Sequence, residues 1–191
     1  FSDVVVVTES DEVQEIAKNY GANTPVKDPW ASDTSHMPPI IDYVTSFLEN
    51  NKGYSIDIVA TLQPTSPLRD DTHIKAALNR FYDADLDSLI SVKESFPPEW
   101  MFRLNGNRTI PLLNNDQDPF LLERQQLPNT YQANGAIYLT KRSALKKYNK
   151  LVIPDSCGYY IMDQKSSLEI DTLTDFEFIE FLILKQKNDY I

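Results

Sequence analysis

Residues Ile58 to Arg69 read IVATLQPTSPLR, an apolar run that ends in an amide, two prolines, two hydroxyls and a guanidinium. The apolar half predicts a strand over 56–62. In open α/β sheets, ligands bind beyond the carboxyl ends of the strands, which is where the polar half begins. Pro64 and Pro67 fix their own φ and restrict the residues before them. The loop is therefore stiff before anything binds, which lowers the entropy cost of binding. Gln63 offers donors and an acceptor, Thr65 and Ser66 offer hydroxyls, and Arg69 either faces an anion or ties the loop down. The competing reading is a rigid turn whose polar groups satisfy its own backbone.

Working outward, residues 3–8 (DVVVVT) read as a strand covered on both faces. Ser10 is placed to cap a helix with Val13, Ile16, Ala17 and Tyr20 on its apolar side and Gly21 after it. Pro38 and Pro39 suit the first turn of a second helix, with Ile40, Ile41, Val44, Phe47 and Leu48 inward. Asp70 or Asp71 caps a third, with Ile74, Ala77, Leu78 and Phe81 on one face. Residues 88–92 read as a strand, 136–140 as another, 141–148 as a helix, and 159–162 and 168–170 as short strands. Thr174 and Glu177 have capping-box spacing and open a last helix that buries Phe178, Ile179, Leu182 and Ile183. This order predicts an α/β fold, a mostly parallel sheet flanked by helices. Between 96 and 131 the pattern breaks into a Pro-rich stretch with Asn105-Gly106 as a hairpin turn. It carries Trp100, Met101, Phe102 and Phe120, so it reads as an inserted arm rather than a linker. The expected division is a core of 1–95 and 136–191, interrupted by an arm at 96–135.

The chain has 191 residues, 41% hydrophobic and 24% charged, which suits a globular protein with one main core. No apolar run approaches the roughly 20 residues of a membrane span, so no membrane partner is expected. A net charge of −10 argues against nucleic acid as a partner. Charge is uneven: residues 101–150 hold eight basic and three acidic side chains, which suits either a local anion site or a solvated face. Cys157 is the only cysteine, so no internal disulfide can form, and a reducing, cytoplasmic location is expected. His36 and His73 lie far apart without ligand spacing, and His73 reads as an exposed residue in the first turn of a helix. No serine–histidine or cysteine–histidine pattern indicates a protein nucleophile.

Two further stretches could carry chemistry. In SLEIDTLTDFE, Glu169 and Asp171 are two apart on an expected strand, so their carboxylates face one side. One or two carboxylates with phosphate oxygens and water are how Mg²⁺ is usually held. The alternative is a pair of solvated acids near a helix start. In RQQLPNTYQANGAIYL, Arg124, Gln132, Asn134 and Tyr138 supply polar groups around an Asn-Gly break that precedes a strand. Amides and phenols suit a polyhydroxylated ligand and an arginine suits a carboxylate, while the alternative is another turn.

Taken in order, LQPTSPLR, RQQLP, NGAIYL and LEIDTLTDFE resemble the acylneuraminate cytidylyltransferases, as do VVVVTESDEVQEIAKNYGA and ASDT earlier in the chain. The resemblance implies a nucleotide-diphospho-sugar transferase-like fold, a homodimer with the arm between subunits, and Mg²⁺ as cofactor. It implies that CTP and a nine-carbon acidic sugar give the CMP-sugar and pyrophosphate. Gln63, Arg124 and Asp171 would then be the catalytic set. Gln63, Thr65, Ser66, Arg124, Asn134 and Tyr138 would line the sugar site, and Asp171 with Glu169 would hold the metal. That family's Gly-rich nucleotide loop lies on a first strand ahead of Phe1, so more protein is expected upstream. Gln132 and Asp28 stand where the family commonly has basic residues, and Glu169 stands where it has aspartate. A cytidylyltransferase for an eight-carbon keto-deoxy sugar, or an inactive sugar-binding or dimerisation module, are the alternatives.

Overall fold

The computed structural model describes residues 1–24, 36–113 and 118–188. Asp28 and the ASDT stretch, Ala31 to Thr34, lie outside the described residues. In chain order the elements are α1 (Asp11–Asn19), α2 (Met37–Lys52), β1 (Ile58–Thr61), α3 (Asp71–Ala84), β2 (Ser88–Ser95), β3 (Phe102–Asn105), β4 (Arg108–Pro111), β5 (Thr130–Lys141), α4 (Arg142–Tyr148), β6 (Cys157–Ile161) and α5 (Leu173–Asn188). They fall into two compact units, Phe1–Ile58 with Lys141–Leu151, and Val59–Thr140 with Val152–Ile191.

The first unit holds α1, α2 and α4. Ser10 caps α1, its hydroxyl accepting the Val13 N–H at 3.3 Å. Pro38 and Pro39 open α2, where missing N–H groups cost nothing, and Gly53 ends it at φ +68. Val44 and Leu48 of α2 are buried, as are Ala144 and Leu145 of the adjoining α4. The strand expected over 3–8 reduces to one parallel bridge, Val5 to Asn23, and Val4 is 57% exposed. A β-branched run fills a strand only where a neighbour supplies a ladder, and this one meets a single partner residue among the described residues.

The second unit is built on a sheet of order β1-β5-β2-β6. The expected α/β layering is present, with one amendment to a mostly parallel sheet. β2 runs parallel to β6 but antiparallel to β5. The chain leaves β2 at Ser95 and returns along it from Thr130, and an antiparallel return needs no crossover helix. β5 is thus a single 12-residue strand that already starts at Thr130. On one side α3 packs against β2 and β6, burying Ala77 and Phe81. Fully burying a side chain such as Phe81 or Leu89 contributes about 1.5–3 kcal/mol.

Five local expectations shift. Asp70 caps α3, and His73 is not exposed: its ring is 15% accessible, accepts the Asp70 N–H at 3.2 Å and meets Tyr160 edge-on. Residues 168–170 form no strand. The capping box of α5 sits two residues earlier than expected. There the Asp175 carboxylate accepts the Thr172 N–H at 2.8 Å, and the Thr172 hydroxyl accepts the Asp175 N–H at 3.3 Å. Of the α5 residues expected inside, Ile179 is buried but Phe178 is 51% exposed. In the β3–β4 hairpin Asn105 pairs with Arg108, so Gly106 and Asn107 are the central residues, with Gly106 at φ +57.

Candidate active site

The Gln63 loop is tied down from within. Arg69 lies under it and donates Nη1 to the carbonyls of Gln63 at 3.1 Å and Ala136 at 2.7 Å. That settles the choice left open for Arg69: it is a staple joining the loop to β5. Ser66 is fully buried and its hydroxyl meets no protein partner among the described residues, so it is enclosed by the loop rather than presented on it. Thr65 is exposed, and its carbonyl accepts the Ile170 N–H at 2.8 Å. This backbone bond holds the Gln63 loop against the segment that carries Glu169 and Asp171. Two motifs about a hundred residues apart in the chain therefore meet.

Gly135 completes the junction. It has φ +67, and a Cβ built on it would overlap both Gln63 Oε1 and Glu169 Oε1. Only glycine suits that backbone conformation and lets both side chains close over it. Around it the charges are poorly matched. Burial pushes the Glu169 carboxyl up, Lys93 pulls it back, and the negative charge of Asp171 raises it again. An acid whose folded pKa is raised costs stability at neutral pH, because the fold holds it ionised against its preference. Tyr138 is half-buried beside it, its phenol raised by burial and then by the Glu169 charge. Asp171 is exposed, with its N–H donated to Asp175 at 3.2 Å. No cluster of three or more histidine, cysteine or acidic side chains is poised for a metal among the described residues. Glu169 and Asp171 supply two carboxylates that repel one another, and Gln63 Oε1 is close to the first. This is a partial oxygen set that Mg²⁺ would fill with phosphate oxygens and water.

Asn134 takes a different place from the one expected. It is 0% exposed. Its Oδ1 accepts the Ser91 hydroxyl at 2.5 Å and the Ala136 N–H at 3.3 Å, while its Nδ2 donates to Ser167 Oγ at 2.8 Å and the Met162 sulfur at 3.4 Å. All its hydrogen-bonding capacity is used inside the protein. Ser91 in turn accepts the Ile137 N–H at 2.8 Å, at the point where the β2–β5 register slips by a bulge. Asn134 thus shapes the backbone that presents Gly135. Losing one partner of such a buried set costs about 1–3 kcal/mol.

Arg124 is on the other side of the strand. Its Nη2 pairs with Glu94 at 2.9 Å and its guanidinium lies 5.5 Å from the Phe96 ring centroid. Successive strand residues point to opposite faces, so Arg124 docks on the face opposite Lys93. The structure therefore brings Gln63, Tyr138, Glu169 and Asp171 into one neighbourhood, with Thr65 at its edge. It places Ser66 and Asn134 beneath them, and pairs Arg124 with the half-exposed Glu94. Lys93, absent from the sequence expectation, is in that neighbourhood as well.

A cytidylyltransferase family model matches residues 1–191. The chain belongs to the cytidylyltransferase family. Among similar proteins, the post-translational flagellin modification protein B of Campylobacter coli is 30% identical over 190 residues, covering 98% of this chain and 79% of its own. The N-acylneuraminate cytidylyltransferase of an Escherichia coli O18:K1:H7 strain is 29% identical, over 98% of this chain and 43% of its own. A pseudaminic acid cytidylyltransferase of Campylobacter jejuni is 26% identical, over 95% of this chain and 78% of its own. The fold matches that of a CMP:2-keto-3-deoxy-manno-octonic acid synthetase solved with CTP, with a TM-score of 0.66 at 13% identity over 96% of this chain and 81% of that one. No described helix of the chain is long and apolar enough to cross a membrane.

Proposed function

We propose that this protein transfers CMP from CTP to a nine-carbon acidic sugar, an N-acylneuraminate or a related nonulosonic acid, and releases pyrophosphate. The carrying observation is the meeting of Gln63, Gly135 and Glu169, which sets a stiff amide beside a pair of acids at a strand end. Membership of the cytidylyltransferase family and relatives named for sialic and pseudaminic acids support the substrate class. In this reading the sugar's anomeric hydroxyl attacks the α-phosphorus and pyrophosphate leaves, with no covalent protein intermediate. Such transfers rest on positioning and charge neutralisation. Gln63 orients the sugar through its amide, held by the Arg69 staple. Tyr138, half-buried and within reach of the Glu169 charge, offers its phenol to the sugar. Glu169 and Asp171 would hold Mg²⁺, which when bound would neutralise phosphate charge and lower the pKa of the attacking hydroxyl. A homodimer built through the arm, in a reducing cytoplasm, completes the reading.

The test is pyrophosphate release by the full-length protein with CTP and Mg²⁺, offered N-acetylneuraminate, pseudaminate and a keto-deoxy-octulosonate in turn. Release with one of the nine-carbon acids is expected. Release with the eight-carbon sugar alone, or with none, contradicts the proposal.

A further inference from the structure

An acidic sugar needs a cation to receive its carboxylate, and an acidic site makes that need greater. The two arginines of the polar stretches face other partners. Arg69 donates to two backbone carbonyls, and Arg124 pairs with Glu94 on the opposite face. Lys93 remains. It lies on β2 directly across from Gln132 of β5, so its immediate cross-strand neighbour is uncharged. Its Nζ makes one hydrogen bond among the described residues, to the Ser167 carbonyl at the long distance of 3.5 Å. An ammonium carries three donors, so that bond leaves it most of its capacity. Position is fixed by a short chain of contacts. Ser167 Oγ accepts from Asn134, Asn134 precedes Gly135, and Gly135 lies against Gln63 and Glu169. The ammonium is thus held beside the same junction, half-buried, where a charge is worth more than in bulk water.

We propose that Lys93 receives the carboxylate of the acidic sugar and so sets the preference for acid over neutral sugars. The inference rests on the cytidylyl-transfer reading above. It adds to it a residue that neither sequence spacing nor the relatives' names assign. Lys93 also balances Glu169 before substrate arrives, which keeps two acids together in a site that must later take an anion.

Initial-rate kinetics of the full-length protein test this, using the acid sugar the wild type accepts and its methyl ester. Lys93→Gln is expected to raise KM for the acid by about tenfold or more, the worth of one charge-assisted hydrogen bond. KM for CTP should stay within about twofold, a change too small to count as a lost contact. Lys93→Arg should restore most of the loss. The variant should no longer distinguish acid from ester, whereas the wild type favours the acid. Lys93→Met, which keeps the apolar stem, gives a second reading of the same loss. A rise in KM for CTP instead of the sugar, or an unchanged ratio of acid to ester, overturns the proposal. A wild type that releases no pyrophosphate with any acid sugar overturns the activity reading instead. Calorimetric binding of N-acetylneuraminate to wild type and Lys93→Gln then decides for Lys93 separately. Weaker binding by the variant supports the inference; equal binding, or none to either, overturns it.

Discussion

Two charged clusters, one in each unit, differ in how fully they are satisfied. In the first unit Arg142 is 5% exposed and all three of its guanidinium nitrogens donate. It donates to both carboxylate oxygens of Glu49 at 3.0 Å, to Asp42 at 2.5 Å and to the Ser46 hydroxyl at 2.9 Å. In the second unit Lys93 makes one long bond, and Glu169 is held with its pKa raised. The first cluster uses four of the five guanidinium N–H donors within the fold. The second holds charge that a bound cation and an anionic ligand would complete. Saturated clusters hold a fold, and undersatisfied ones mark where something binds.

Two substitutions would break or sharpen that contrast. Arg142→Ala removes the hub between α2 and α4 and strands two partly buried acids, so it should lower the unfolding free energy by about 3 kcal/mol. Chemical denaturation measures this, and the folded enzyme should keep its KM values. A variant of normal stability with altered kinetics would dissolve the distinction. Gly135→Ala should cost less stability, about 1–3 kcal/mol for strain at positive φ. It should nonetheless cut turnover more than Arg142→Ala does, because the added methyl pushes Gln63 and Glu169 apart. Turnover close to wild type would show that their closeness does not matter.

Short-range features were legible in the sequence because their chemistry lies within one turn. Ser10, Pro38, Pro39 and Asp70 each act on backbone within a few residues; the first three stand where expected, and Asp70 is the one of the two expected acids that caps α3. The capping box of α5 was misplaced because TLTD and TDFE both satisfy the same four-residue pattern, and only the fold chooses between them. The run at 3–8 failed as a strand because pairing is decided by the neighbour, not by the run. Within the site, Gln63, Glu169 and Asp171 were readable as motifs, although 168–170 is held by one bond to Thr65 rather than by a ladder. Asn134 and Lys93 were not readable in their true places. Asn134's inward turn depends on a bulge at Ser91, and Lys93's relevance depends on strand register. Neither leaves a local pattern.

The central claim is that the Gln63 loop and the Glu169–Asp171 pair form one working site. Steady-state turnover of full-length Asp171→Ala, with its thermal unfolding midpoint measured alongside, tests it most directly. Asp171 is exposed, so the midpoint should hardly move, and turnover should fall at least about 100-fold, the scale of a misplaced reacting group. Wild-type turnover in a folded Asp171→Ala protein would contradict the account.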